Sequence, residues 1–199
     1  MANVTKDSAE TESKQLTAVW NNFDKGGEKL EYIADVMNAL GAATASSTSE
    51  IATGLQKFSA VAETAGLSYE YAASALATIT AVTRQSADTV GTGLRTVLAR
   101  FESLGLGETL DDGVTLTKYT KALQTIGVDV LDMNGNLRTA NEILDDMADK
   151  WQNLSNAQKM ATAETVGGIR QYSTIMALME NWDFMQKNVK VAEGSEGTL

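Results

Sequence analysis

The chain has 199 residues, a length that holds one domain or two small ones around a sizeable core. It carries no histidine, cysteine or proline, and 26 acidic against 16 basic residues give a net charge of −10. These absences exclude a Ser-His-Asp triad, a cysteine nucleophile, a Cys/His zinc site and a disulfide framework, and the acidic balance disfavours a phosphate-backbone footprint.

Apolar residues make up 43% of the chain but aromatic residues only 6%, and much of the apolar content is alanine, so the core is expected from closely approaching helices rather than large rings. An average chain this long would hold roughly ten prolines. Their absence favours uninterrupted helices, because proline removes a donor and clashes inside a helix. The fold class expected is all-α, a multi-helix bundle in two lobes with one small β-hairpin at about residues 128–138. The polar N-terminus, MANVTKDSAETESK, lacks the apolar stretch of a signal peptide. The uncharged runs from Val36 to Ser49 and from Tyr71 to Thr83 fall short of the roughly 20 residues that span a bilayer, so no membrane span is expected.

Residues 1–13 read as a flexible tail. A first helix follows from Lys14 to Phe23, with Leu16, Val19, Trp20 and Phe23 on one stripe, and Asp24-Lys25-Gly26-Gly27 stops it. A second runs from Glu28 to about Ala43. Ser47 and Glu50 form a capping box for a third, which buries Ile51, Leu55, Phe58 and Ala62 and stops at Gly66. Ser68 caps a fourth, whose many Ala, Ser and Thr residues suit a central place in the bundle. The fifth has the cleanest periodicity, with Val90, Leu94, Val97, Leu98, Phe101 and Leu104 at helical spacing. Gly91 and Gly93 cost it helix propensity, and close packing would explain them. These elements form an N-terminal lobe, residues 14–104, and the Gly-rich acidic stretch 105–114 reads as the linker to a C-terminal lobe, residues 115–190.

That second lobe opens with a helix from about Leu116 to Ile126. Val128, Val130 and Leu131 are then answered by Leu137 across Asn134-Gly135, the strongest short-range signal for a type I′ hairpin. Thr139 and Glu142 form a capping box for a helix that buries Ile143, Leu144, Met147 and Trp151. Ser155 and Gln158 cap another, ending near Gly167-Gly168. A last helix spans about Ile169 to Val189, and residues 191–199 read as a flexible tail.

Each chemical candidate meets an objection. Asp132, Asn134, Gly135 and Asn136 superficially resemble a calcium loop, but an EF-hand needs glycine at loop position 6 and Glu at 12. Counting from Asp132 puts Gly135 at 4 and Ile143 at 12. Asp145, Asp146 and Asp149 would be the acids of a hydrolase, yet the solvent side of a helix buried through Ile143, Met147 and Trp151 ordinarily carries acids. Gly91-Thr92-Gly93 does not extend to GxGxxG, and Gly26-Gly27-Glu28-Lys29 is no P-loop. Arg84, Arg95 and Arg100 form a locally basic stretch diluted by Asp88 and Glu102. Met176, Met179 and Met185 suit either a core or an adaptable partner surface. No catalytic residue, cofactor or metal is expected.

Four stretches taken together resemble one family. They are VGTGLRTVLARFESL (Val90 to Leu104), GETLDDGV, LQTIGVDVLDMNGNLRTANEILDDMADKWQNLS (Leu123 to Ser155) and TVGGIRQYSTIMALMENWDFM (Thr165 to Met185). Their order and spacing resemble the core region of phage tail tape measure proteins, most nearly those of siphophages and prophages of Gram-positive bacteria. The family's motifs match at Gly91, Leu94 and Arg95; at Gly127, Asp132, Gly135 and Arg138; at Ile143, Leu144 and Asp145; and at Gly168, Arg170, Gln171 and Asn181, with Asn134, Trp151 and Trp182 beside them as structural positions.

The resemblance implies a non-enzymatic virion protein. It would act as an assembly scaffold in the tail lumen whose length sets tail length, present in the host cytoplasm during assembly. Its implied partners are the tail tube (major tail) protein, tail assembly chaperones and distal tail or baseplate proteins, with self-association and without specific nucleic acid. At 199 residues the chain is too short to be a whole ruler, so it looks like one segment of a larger reading frame. Two alternatives are a helical interaction module docking at the tail tip or host envelope, suggested by the Met/Trp stripe, and a peptidoglycan-acting insert using the three acids.

Overall fold

The computed structural model describes residues 2–23, 30–44 and 46–195. Among these the helices are α1 (Ala2–Phe23), α2 (Leu30–Thr44), α3 (Thr48–Thr64), α4 (Tyr69–Thr83), α5 (Ala87–Gly105), α6 (Leu116–Gln124), α7 (Ala140–Trp151), α8 (Asn156–Glu180) and α9 (Trp182–Glu193). The protein is all-α. The stop at Asp24 to Gly27 and the start at Glu28 lie outside the described residues.

Local chemistry sets most boundaries. The boxes at Ser47/Glu50, Thr139/Glu142 and Ser155/Gln158 form in both directions, and Ser68, Ser86 and Thr115 cap α4, α5 and α6. α3 ends at Gly66, where the Gly66 and Leu67 amides reach back to the Glu63 and Ala62 carbonyls. α1 begins at Ala2 rather than Lys14, because neither glycine nor proline interrupts it. Glu10 and Lys14, one turn apart, pair at 2.7 Å.

The expected hairpin does not form. Among the described residues there is no β-strand, only a single antiparallel bridge between Leu131 and Leu137. The turn is not type I′ either. Among the described residues Arg84 alone of the non-glycines has positive φ, so Asn134 lacks the geometry that turn needs. Instead the Gly135 amide closes a turn onto the Asp132 carbonyl at 3.0 Å, with Gly135 at φ 82°. The Asp132 carboxylate fixes it, accepting from the Asn134 and Asn136 amides at 2.8 Å each. Thr139 then caps α7 directly after Arg138, so the second limb has no length left for a strand.

The last helix also differs from expectation. α8 breaks at Gly168 (φ 71°, ψ 170°) and resumes to Glu180. Asn181 then interrupts it: its side-chain amide donates to the Ala177 carbonyl at 2.8 Å, its backbone leaves helical geometry, and α9 sets off in a new direction.

α4 lies at the centre, with every residue from Tyr71 to Ile79 buried. α3 packs chiefly on α5 and α1, while α9 covers α4 and α2, and α8 lies on α5 and α4. α6 and α7 pack chiefly on α8. One apolar cluster runs through residues on both sides of segment 105–114. The α3–α5 crossing is close enough to exclude any side chain, since a Cβ on Gly91 would meet the Gly54 Cα at 3.0 Å and one on Gly54 the Ala87 carbonyl oxygen at 2.8 Å.

Two stability outcomes follow. Gly91→Ala forces backbone against backbone and should destabilise by about 1–3 kcal/mol despite its better helix propensity; an unchanged urea midpoint would refute the close crossing. Tyr119 is fully buried with its ring edge-on to Phe101 at 5.7 Å, and its hydroxyl has no partner among the described residues. Tyr119→Phe removes that unpaired donor and should stabilise by about 1 kcal/mol in the same assay.

Candidate functional site

The acids of α7 are tied to structure. Asp146 Oδ2 pairs with Arg138 Nη1 at 2.6 Å, and the same nitrogen donates to the Asp129 carbonyl at 2.8 Å. Arg138 thus joins both limbs of the 128–138 loop to α7, and its hydrogen bond to Asp146 raises its pKa. Asp145 accepts from the buried Tyr71 hydroxyl at 3.3 Å. Burial holds the Asp145 carboxyl above its usual range, with Asp146 and Asp149 adding repulsion against the lowering effect of Tyr71. Burial and then Asp145 push the Tyr71 phenol well up. Asp149 is exposed. No group of three acids able to hold a metal occurs among the described residues.

At the far end of α7, Trp151 is fully buried and its indole N–H donates to Glu180 Oε1 at 2.9 Å. Lys159 Nζ reaches the same oxygen at 2.8 Å and lies 5.6 Å from the Trp151 ring centre. The hydrogen bonds from Lys159 and then Trp151 hold Glu180 below the usual carboxylate range.

Arg100 does not belong to a solvated basic face. From α5 its Nε donates to the Val166 carbonyl and its Nη2 to the Thr165 carbonyl, both at 3.2 Å. Its Nη1 pairs with Asp112 Oδ2 at 2.8 Å. Burial alone would raise Asp112, but the bonds from Arg100 and the Val114 amide outweigh it and lower the pKa. Gly168 makes room, since a Cβ there would stand 2.9 Å from Arg100 Nη1. Beside this joint lies a cleft of about 690 Å³ whose lining includes Arg95, Arg100, Asp111, Asp112, Gly168 and Arg170. Arg95 and Arg170, far apart in sequence, are both exposed there.

The other motif residues are spread along the fold. Gly91 and Leu94 are buried in α5, and Ile143 and Leu144 in α7. Gly127 ends the turn after α6, and Asp132, Asn134 and Gly135 make the exposed loop tip. Gln171 accepts from the Thr174 hydroxyl at 2.9 Å and lies against Gly93. Asn181 sits at the α8–α9 bend, where half-buried Trp182 packs edge-on to Tyr71 at 6.1 Å. Met179 and Met185 are fully buried and Met176 is half-buried, so the methionine stripe is core. Arg84 ends α4 in the left-handed conformation, φ 59°. Sequence reasoning missed Tyr71, Glu180, Lys159 and Asp112, whose partners lie 12 to 74 residues away on other elements, beyond any local pattern.

Over residues 1–168 the chain matches the phage-related minor tail protein family, and it belongs to that family. No solved structure matches it. Among the described residues no helix is long and apolar enough to cross a membrane.

The Asp145 environment gives a signed pH dependence. A carboxyl whose folded pKa is raised adds stability that is full below its unfolded value, near 3.8, and is lost as pH rises through the folded value. Asp145→Asn therefore should stabilise at pH 7, by less than about 1 kcal/mol because solvent screens the half-buried group, and change nothing at pH 3. Urea unfolding at both pH values checks this; a loss of stability at pH 7 would contradict it.

Proposed function

We propose that this phage tail protein is a segment of a tail tape measure protein. It serves as a helical scaffold in the tail lumen during assembly, adds to the length that sets tail length, and contacts the tail tube protein, assembly chaperones and distal tail proteins. The observation behind the reading is the match of residues 1–168 to a tail protein family, joined to the ordered sequence elements that resemble tape measure cores.

The same reading makes the segment structural rather than enzymatic. Asp145 and Asp146, the acids best placed for chemistry, are engaged by Tyr71 and Arg138 in holding α7 to its neighbours.

The contribution to length depends on the form the segment takes in the tail. As one continuous helix its 199 residues would span about 300 Å at 1.5 Å per residue. As a compact unit it spans about 40 Å. In-frame deletion of these codons from the phage gene, followed by electron microscopy of tails, distinguishes the two: shortening near either value supports the ruler reading and identifies the form. Full-length tails on infectious particles would reject it.

A further inference from the structure

Residues 115–167, comprising α6, α7 and the first part of α8, are joined to the rest of the chain by two covalent connections. One is segment 105–114, the other Gly168. Arg100 grips both, through Asp112 on the first and the Thr165 and Val166 carbonyls just before the second. We propose that residues 115–167 are a hinged unit and that Arg100 is the latch that holds it shut.

The geometry at Gly168 carries the argument. At φ 71° and ψ 170° it occupies a region open essentially to glycine alone. In an unbroken α-helix the amides of residues 169 and 170 would bond to the carbonyls of residues 165 and 166. The break withdraws those amides, and Arg100 supplies N–H groups to the same two oxygens. Its side chain is 13% exposed, so water is a poor substitute. The broken and the continuous helix are therefore alternative ways of satisfying one pair of carbonyls, and Arg100 selects the broken one.

The packing of the unit bears on the hinge. α6 and α7 pack chiefly on α8, and their further ties are few and specific: Tyr119 stands edge-on to Phe101 of α5, Asp145 accepts from Tyr71 of α4, the Ala140 amide donates to the Ala65 carbonyl, and Trp151 and Lys159 hold Glu180. The other connection contains Gly107 and Gly113, both at positive φ, with open space where a Cβ would stand. Arg100's third contact, to Asp112, ties this connection to the same guanidinium. Opening would give α8 one uninterrupted course from Asn156 to Glu180, release Glu180 from Lys159 and Trp151, and expose the apolar underside of residues 115–167. This inference concerns the chain's own mechanics and does not depend on the tape measure reading.

The absence of native cysteine allows clean site-directed spin labelling. Ala157→Cys and Ser173→Cys place labels on exposed positions either side of Gly168. In a continuous helix their backbone positions lie about 24 Å apart. Pulsed electron-electron resonance on the labelled 199-residue chain should give one shorter distance. Arg100→Ala should raise the population near the helical distance roughly tenfold or more, since it leaves two carbonyls unpaired in the broken form. Gly168→Ala should do the same for a different reason, by making the broken backbone itself strained. Unchanged distances in both variants, with helix content retained by circular dichroism, would overturn the latch. So would general loss of helix content in Arg100→Ala, which would make Arg100 part of the fold's foundation.

Discussion

Backbone lies against backbone where α3 and α5 cross at Gly54 and Gly91. A chain with few aromatic residues has little bulk with which to fill gaps between helices. Near-crystalline interior packing then requires the helices themselves to approach. Gly91 and Gly93 are two residues apart, about 200° around the helix, and so lie on opposite faces. Gly91 admits α3, while Gly93 admits Gln171 and Thr174 of α8. The GTG run costs α5 helix propensity and in exchange lets it lie between two neighbours. The surface ion pair Lys57–Asp88 on the same α3–α5 seam adds little, because both partners are substantially exposed.

The α8-facing side of α5 continues from Gly93 through Val97 to Arg100, at spacings of four and three. It begins as close packing and ends as a charged clasp. That change coincides with the place where α8 loses its helical course, so the one helix explains both the contact and the break. Beyond it, polar clasps join the apolar packing of Tyr119, Ile143, Met147 and Trp151. Arg138 binds Asp129 and Asp146, and Glu180 gathers Trp151 and Lys159. Each of these clasps closes a span of sequence with one or two side chains, whereas α3, α4 and α5 are held over their whole lengths.

What the sequence revealed was whatever is decided within a few residues. Three capping boxes, the serine cap before α4, and the stripe of α5 are local, and all are present. The missed features are decided by competition or by distance. Asn134-Gly135 signals a hairpin turn, but the Asp132 carboxylate two residues earlier offers the loop amides a better acceptor, and the cap at Thr139 removes the second limb. Gly167-Gly168 marked a helix end, but nothing nearby disclosed that an arginine some 65 residues earlier would complete it. Asn181 carries no glycine or proline signal, and its effect comes from a side chain bonding back to Ala177. Asp145 and Asp146 likewise take their partners, Tyr71 and Arg138, from other elements, which no pattern within α7 discloses.

These two modes of cohesion respond differently to force or to a binding partner. Separating α3 from α5 requires withdrawing a continuous close-packed seam, and each step exposes apolar surface with no compensating bond. Releasing a polar clasp requires one acceptor to be exchanged for another, and at Gly168 the replacement lies within the chain itself, in the backbone amides of α8. A conformational change confined to the clasped region therefore regains the bonds of its clasp and leaves the α3–α5 seam intact, and its cost is the apolar surface of α6 and α7 that it uncovers. The glycine that makes the break possible is also what keeps the continuous helix within reach, because its backbone alone passes between the two geometries without steric strain.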